Sequence, residues 1–548
     1  MKKKPTLYVI IIFIWILCLG LLITSLYFIL NNLDTSNLIR SIFIGIILIS
    51  NSLILGILWF GSIKDLVFSC THAFYGKKLL RKYDDISKIK IKKDYKPKFL
   101  LLYCTRNDFN KNALTESMKQ NYDNFQVIIL DDSDKEEFLN EIDLFSKENN
   151  IEVVRRKNKS GFKAGNLNNY LKGKTDYDYF VVLDSDEILP TDYINKVLKY
   201  FIYDKNCGAV QARHKATKGN NWFQRLLGLS VGSNGASVQI VKNFYGSNAL
   251  IGHGMTISKD CYLKTGGFPL VVAEDISFAV DIRNAGFNII YAPDILCYEE
   301  FPINYLSLKK RQCKWTQGNL EYMQKYNKEI GSCKMSWFEK LDLKLSHYSL
   351  PIVPILGFFL AVFTIILGFL GYPIIHYSLG IYIIMIIFLC SPLIPDLFVY
   401  HKDKNIFLLI PYFILNIITY ASLSPMMIKT VFLGIFGKKA TFNVTPKDNK
   451  KYSLKLAFLG SLDSIIFGII ILTLSILSCR SVLPVILILI SCLSAPLVIL
   501  LSNLEIKEKV KKISNIKEKD NTKFIIKNNY QNIHIKNNNI QISQKEFN

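Results

Sequence analysis

The chain has 548 residues, of which 50% are hydrophobic and 13% aromatic, with a formal net charge of +23. That apolar share excludes a disordered chain and a wholly soluble one. The positive excess is no nucleic-acid signature, because most of it lies beside apolar runs, where positive-inside bias and anionic headgroups account for it.

Six apolar runs are long enough to cross a bilayer: 7–30, 41–63, 350–370, 379–397, 456–477 and 481–502. The connections 31–40, 371–378 and around Arg480 are poor in Lys and Arg, whereas 64–347, 401–404, 438–455 and 503–548 are rich in Lys. This predicts a multi-pass plasma-membrane protein of about six spans, with the large insert and both termini in the cytoplasm. The stretch 405–436 is apolar but carries Pro411, Pro425 and Lys429 between basic flanks, and reads as an interfacial or re-entrant segment. Residues 64–98 read as a membrane-surface linker, 321–349 as interfacial helices, and the Lys/Asn/Ile-rich tail 503–548 as solvated. The 11 cysteines lack CxxC or Cys/His metal spacing, which predicts neither disulfides nor zinc.

Within the insert, strand and helix patterns alternate. Strands are predicted at 99–103, 127–130, 151–154 and 180–183, and helices at 113–120, 135–147, 164–171 and 191–201. Such alternation implies a mostly parallel, doubly covered sheet that binds ligands at its carboxyl edge.

Polar residues fall at that edge. Thr105 follows the first strand, and Asp132 follows the second, where a carboxylate can accept from a uracil N–H or ribose hydroxyls. The run YDYFVVLDSDEILP ends the fourth strand in acids. Asp184 and Asp186, two residues apart on extended chain, point to the same side, and their hard oxygens suit Mg²⁺ or Mn²⁺ bridging a diphosphate. In KAGNLN, Lys163 offers charge to phosphate and Gly165 permits close backbone approach. Glu274 and Asp275 open a helical run, where a fixed carboxylate can act as general base toward an acceptor hydroxyl. Arg311, Lys314 and Trp315 form a basic and aromatic cluster: an indole stacks on a sugar, and cations stabilise a departing diphosphate. His253, in GHGM, is a candidate contact to a sugar hydroxyl.

Taken in order, these motifs resemble those of the processive, membrane-embedded family 2 glycosyltransferases, which include cellulose, hyaluronan and chitin synthases and bacterial glucan synthases. That family's pattern of Asp, DxD, Glu-Asp and QxxRW corresponds to Asp132, Asp184/Asp186, Glu274/Asp275 and 311–315, the last as RQCKW, with Arg311 where Gln is usual and Lys314 where Arg is usual. KAGNLN resembles the cellulose synthase sequence, and FNVTPK, with Phe442, Val444, Thr445 and Lys447, resembles its gating loop (438–453). RQCKWTQGN resembles instead the RDRRWCQGN type of the osmoregulated periplasmic glucan glucosyltransferases.

The resemblance implies an α/β GT-A domain at 99–320, Rossmann-like, inserted between two N-terminal transmembrane helices (1–63) and a C-terminal transmembrane region (350–502). It implies an inverting, processive transfer from a UDP-sugar, UDP-glucose first, to a growing polysaccharide extruded across the bilayer, with an accessory export subunit as a possible partner. It assigns the base to Asp275, the nucleotide and metal to Asp184 and Asp186, and the acceptor end to Trp315; the residues themselves add Thr105, Asp132, Lys163, Arg311 and Lys314 as nucleotide-sugar contacts and Glu274 and His253 as acceptor contacts. Rival readings are single-sugar transfer to a lipid carrier, synthesis of another polymer such as one of UDP-GlcNAc, and an inactive scaffold of an export complex.

Overall fold

The computed structural model describes residues 3–401, 404–438 and 451–506. The FLLLYCT strand shows how its domain is built. Phe99, Leu101 and Tyr103 join one core, while Leu100 and Leu102 join the other. A strand covered on both faces divides its side chains in this way.

That strand is β1 (Phe99–Thr105), and β2 (Phe125–Asp131), β3 (Glu152–Arg155) and β4 (Tyr179–Leu183) match the other predicted strands within a few residues. The sequence reading contains no counterpart of β5 (Cys207–Ala216), β6 (Met255–Ser258) or β7 (Asn288–Glu299). The seven strands form one sheet in the order β3-β2-β1-β4-β6-β5-β7. Pairing from β3 to β4 is parallel, but β6 runs antiparallel to both β4 and β5. The sheet is therefore mixed, with the predicted parallel part confined to one half. From β1 the chain moves outward through β2 and β3, then crosses back to pair β4 on the other side of β1. Such a reversal opens a crevice at the carboxyl ends of the two strands.

Among the described residues, six helices are long and apolar enough to cross a membrane: Thr6–Asn31, Leu38–Ser87, Trp337–Phe369, Leu379–Tyr400, Phe407–Ile435 and Leu462–Cys479. The number matches expectation, but one member changes. The stretch expected to lie at the interface forms helices Ile406–Ser422 and Ser424–Ile435, joined at Leu423, and together they reach crossing length. The expected span 481–502 is a shorter helix, Ile486–Leu501, of 16 residues. Proline explains the difference: Pro425 occupies a first-turn position, where its missing N–H costs nothing, so the apolar run continues past it.

The supposed linker after residue 63 is also helical. Leu38–Ser87 runs unbroken for 50 residues, because Phe68, Leu79, Tyr83 and Ile86 bury one face of its polar half against the core shared with the sheet.

Both ends of the described chain return to the sheet's side. The Lys3 ammonium donates to Gly246 O at 2.8 Å, and Ile506 N donates to Asn220 O at 3.0 Å. A buried carboxylate locks this junction. Asp342 accepts from Tyr8 Oη at 2.6 Å and Ser247 N at 2.7 Å, and lies 3.3 Å from Lys242 Nζ. Asp342→Leu leaves the buried Lys242 without its carboxylate, and should destabilise the protein by about 3–5 kcal/mol. Thermal unfolding in detergent would show this as a lowered Tm; an unchanged Tm would mean that the junction does not depend on the ion pair.

Candidate active site

The crevice gathers the acids that the sequence singled out. Asp132 directly follows β2 and is buried, with both oxygens taken by one guanidinium: Arg156 Nε at 2.9 Å and Nη2 at 2.7 Å. The same Arg156 donates to Ser160 O and Phe162 O, at 2.7 and 2.8 Å, and so holds the turn entering the helix Phe162–Leu171. Gly165 is needed there, since a Cβ would lie 2.2 Å from Ser160 O. The expected nucleoside contact of Asp132 is thus already engaged by a cation.

Lys163, in the first turn of that helix, pairs with Asp184 and donates to Gly252 O at 2.7 Å. Burial opposes charge on both partners. Nevertheless, attraction to Asp184 holds the ammonium above the usual lysine value, while Lys163, and after it His253, hold the Asp184 carboxyl well below the usual carboxylate range. Asp186 Oδ2 accepts from Glu300 N at 3.0 Å, just past β7. Thr105 Oγ1 donates to Asp108 Oδ1 at 2.9 Å, and Ser185 Oγ donates to Asp108 Oδ2 at 2.6 Å. Asp108 therefore ties the loop after β1 to the middle of DSD.

Glu274 and Asp275 open the helix Glu274–Asn284. Ile276 N donates to Asp275 Oδ1 at 2.8 Å, and a Cβ on Gly252 would come within 3.2 Å of Asp275 Oδ2. Burial, then the Asp275 charge, push Glu274 up to about 7; burial also raises Asp275. Such a pair keeps a proton at a pH where ordinary carboxyls have lost theirs.

The motif helix Tyr305–Ser332 closes the crevice. Lys314 feels Glu274 and Asp184, although burial lowers its pKa. The Arg311 guanidinium lies over Phe301 and Trp315, at 4.9 and 4.6 Å from the ring centroids. Trp315 stays 42% exposed, so its indole is open to a ligand. His253 is not open in this way: its two ring nitrogens face Glu187 and Glu299 rather than a site for a sugar hydroxyl. The residues predicted for a gating loop, Phe442, Val444, Thr445 and Lys447, lie outside the described residues.

One cavity of about 1710 Å³ takes in these acids and continues between the apolar helices, past Trp59, Gly357, Phe358, Met385 and Phe467. Sequence reasoning missed Arg156, Asp108, Glu187 and Glu299. Arg156 alone carried a signal, a basic pair just after a strand that faces an acidic pair after its neighbour.

Residues 179–401 match the model of the glycosyl transferase family group 2. This segment is a family 2 glycosyltransferase domain. The match starts at β4, so it covers DSD, Glu274/Asp275 and the motif helix but not β1 to β3. Among curated proteins, the chain is 26% identical over 225 residues to glucans biosynthesis glucosyltransferase H of Vibrio cholerae serotype O1, covering 37% of this chain and 30% of that one. It is 25% identical over 217 residues to the protein of the same name from Shewanella baltica, covering 36% and 28%. The chain thus spans under a third of these relatives' length. Among solved structures, it is similar to the mannosyltransferase PcManGT of Pyrobaculum calidifontis, in complex with GDP-Man and Mn²⁺, with a TM-score of 0.43 and 18% identity over 70% of this chain and all of that one.

The raised Glu274 makes stability depend on pH. Between the ordinary carboxylate range and about 7, the folded pair binds more protons than the unfolded chain, so stability falls as pH rises through that window. Glu274→Gln should gain Tm over the parent between about pH 5 and about pH 8. A difference in Tm that does not vary with pH would show that Glu274 titrates like an exposed carboxyl.

Proposed function

We propose that the chain is an inverting glucosyltransferase that transfers from a nucleotide sugar, UDP-glucose first, to the end of a growing glucan, and passes the product into the membrane helices. The observation that carries this reading is the continuous cavity from Asp275 into the bundle. An enzyme acting on a soluble acceptor needs no such extension.

The reaction follows from the placement of groups. The acceptor hydroxyl gives its proton to Asp275, its oxygen attacks the anomeric carbon from the opposite side, and the bond to the diphosphate breaks. Lys163, Lys314 and Arg311 supply positive charge where the nucleoside diphosphate leaves. Trp315 offers a stacking face to the acceptor sugar. Asp184 and Asp186 offer only hard oxygen donors, a set that fits Mg²⁺ or Mn²⁺, and these two residues would hold the ion. When bound, it neutralises charge on the departing diphosphate.

The Lys-rich connections, together with the return of both described ends to the sheet's side, support a cytoplasmic domain and a polymer that moves outward. A second reading is favoured by the lining of the cavity deep in the bundle, where Leu55, Leu58, Phe358 and Leu389 offer no hydrogen bonds. This lining also suits the hydrocarbon of a lipid acceptor.

The test uses the full chain in liposomes with Mn²⁺ or Mg²⁺ and a panel of UDP- and GDP-sugars. We expect one donor to give a long, water-soluble glucan, and Asp275→Asn to slow its formation by about 10²–10⁴-fold. A product of one sugar that partitions into organic solvent would establish the lipid acceptor instead. Release of nucleotide that Asp275→Asn leaves unchanged would overturn the assignment of the base.

A further inference from the structure

The segment Gly252-His253-Gly254 reaches both acids of DSD by separate routes. Gly252 O receives Lys163, which pairs with Asp184. His253 acts on the other side. Its Nδ1 meets Glu187 Oε2, on the residue next to Asp186, and its Nε2 lies 3.1 Å from Glu299 Oε2. Glu299 ends β7, and the next residue's backbone N–H donates to Asp186 Oδ2 at 3.0 Å. The ring thus fastens together two segments, the turn that carries Asp186 and the strand end that hydrogen-bonds it.

The surroundings leave little slack. Glu187 is fully buried, and its other oxygen lies 3.1 Å from His214 Nε2. A Cβ on Gly254, at φ +56, would lie 2.5 Å from that nitrogen and 2.7 Å from Glu187 Oε1, so a glycine is required. A ring that faces a carboxylate from each nitrogen is suited to donate twice, which only the imidazolium can do.

We propose that His253 is a positioning residue that locks the DSD turn to the end of β7, and so presets Asp186, with Asp184 beside it, for the donor's diphosphate and its divalent metal. This deepens the glycosyltransferase reading and rests on it. The same side chains suggest one competitor. Glu187, His214 and Cys297, and likewise His214, His253 and Glu299, bring metal-ligand atoms within 4.8 Å of one another. An ion seated there would replace the clamp.

The test measures Mn²⁺ binding to the purified full chain with UDP present, by electron paramagnetic resonance, so it does not depend on turnover. His253→Ala should weaken Mn²⁺ by about 10–100-fold, as expected when the partner of a metal ligand's support is removed. His253→Gln, which keeps one N–H donor, should weaken it less, and Glu299→Gln should shift it in the same direction. In turnover, the KM for the nucleotide sugar should rise while the KM for acceptor stays unchanged. Unchanged Mn²⁺ binding in folded His253→Ala would overturn the proposal. So would a tightly held metal that survives Asp184→Asn/Asp186→Asn but is lost in His253→Ala, since that metal would be the clamp's replacement. If the wild type binds Mn²⁺ and UDP as expected but transfers no sugar from any donor, the glycosyltransferase reading fails while the binding result still decides the role of His253.

Discussion

The site is governed by crowding of negative charge. Asp132, Asp184, Asp186, Glu274 and Asp275 line one cavity, and on the proposed reading a diphosphate enters among them. Like charges at such distances, partly shielded from water, repel strongly unless cations or protons intervene. The chain answers each acid differently. Asp132 takes two of the N–H donors of Arg156, Asp184 takes Lys163, Asp186 takes a backbone N–H, and burial raises the affinity of Glu274 and Asp275 for a proton. A donor bringing its own metal and negative charge therefore meets a set of paired groups that it can rearrange.

This arrangement ties the chemistry to the membrane. The helix Tyr305–Ser332 faces the acids through Lys314 and the bundle through Cys313, whose Sγ lies 3.5 Å from Thr430 Oγ1 of the helix Ser424–Ile435. Near its start, Lys309 Nζ lies 2.6 Å from Asp463 Oδ1, at the first turn of the helix Leu462–Cys479. Gly318 lets this helix approach the residue before Glu274, since a Cβ would come within 3.1 Å of Ala273. One rigid element thus carries Arg311 and Lys314 and packs against both the start of the Glu274–Asn284 helix and the apolar helices. Close coupling between transfer and movement of product is the expected consequence.

Much of this was legible in the sequence where period and composition agree. β1 and β4 are short apolar runs ending in polar residues, and the parity of FLLLYCT settles burial on both faces. The acids of DSD and the Glu-Asp pair could be read because each stands at the end of a regular element. β5, β6 and β7 could not: β6 has four residues, and β5 and β7 carry polar residues at their functional ends, where pairing with distant chain rather than local pattern decides. His253 looked available because its partners, Glu187 and Glu299, are 66 and 46 residues away and nothing local couples them. The long helix through 64–87 was hidden for a similar reason, since its polar half is fixed by packing against the sheet.

The departure of RQCKW from the usual QxxRW takes on meaning in the structure. The lysine at 314 cannot grip a phosphate with two parallel hydrogen bonds as arginine does, but it is compact and mobile. Buried beside Glu274, Asp184 and Lys163, it acts as a point charge that can shift between the carboxylates and an arriving diphosphate. The planar cation stands instead at 311, over the rings of Phe301 and Trp315. There it also packs on the indole. On the proposed reading both cations serve the leaving diphosphate, the compact one at 314 beside the acids and the planar one at 311 also backing the indole on which the acceptor sugar would rest.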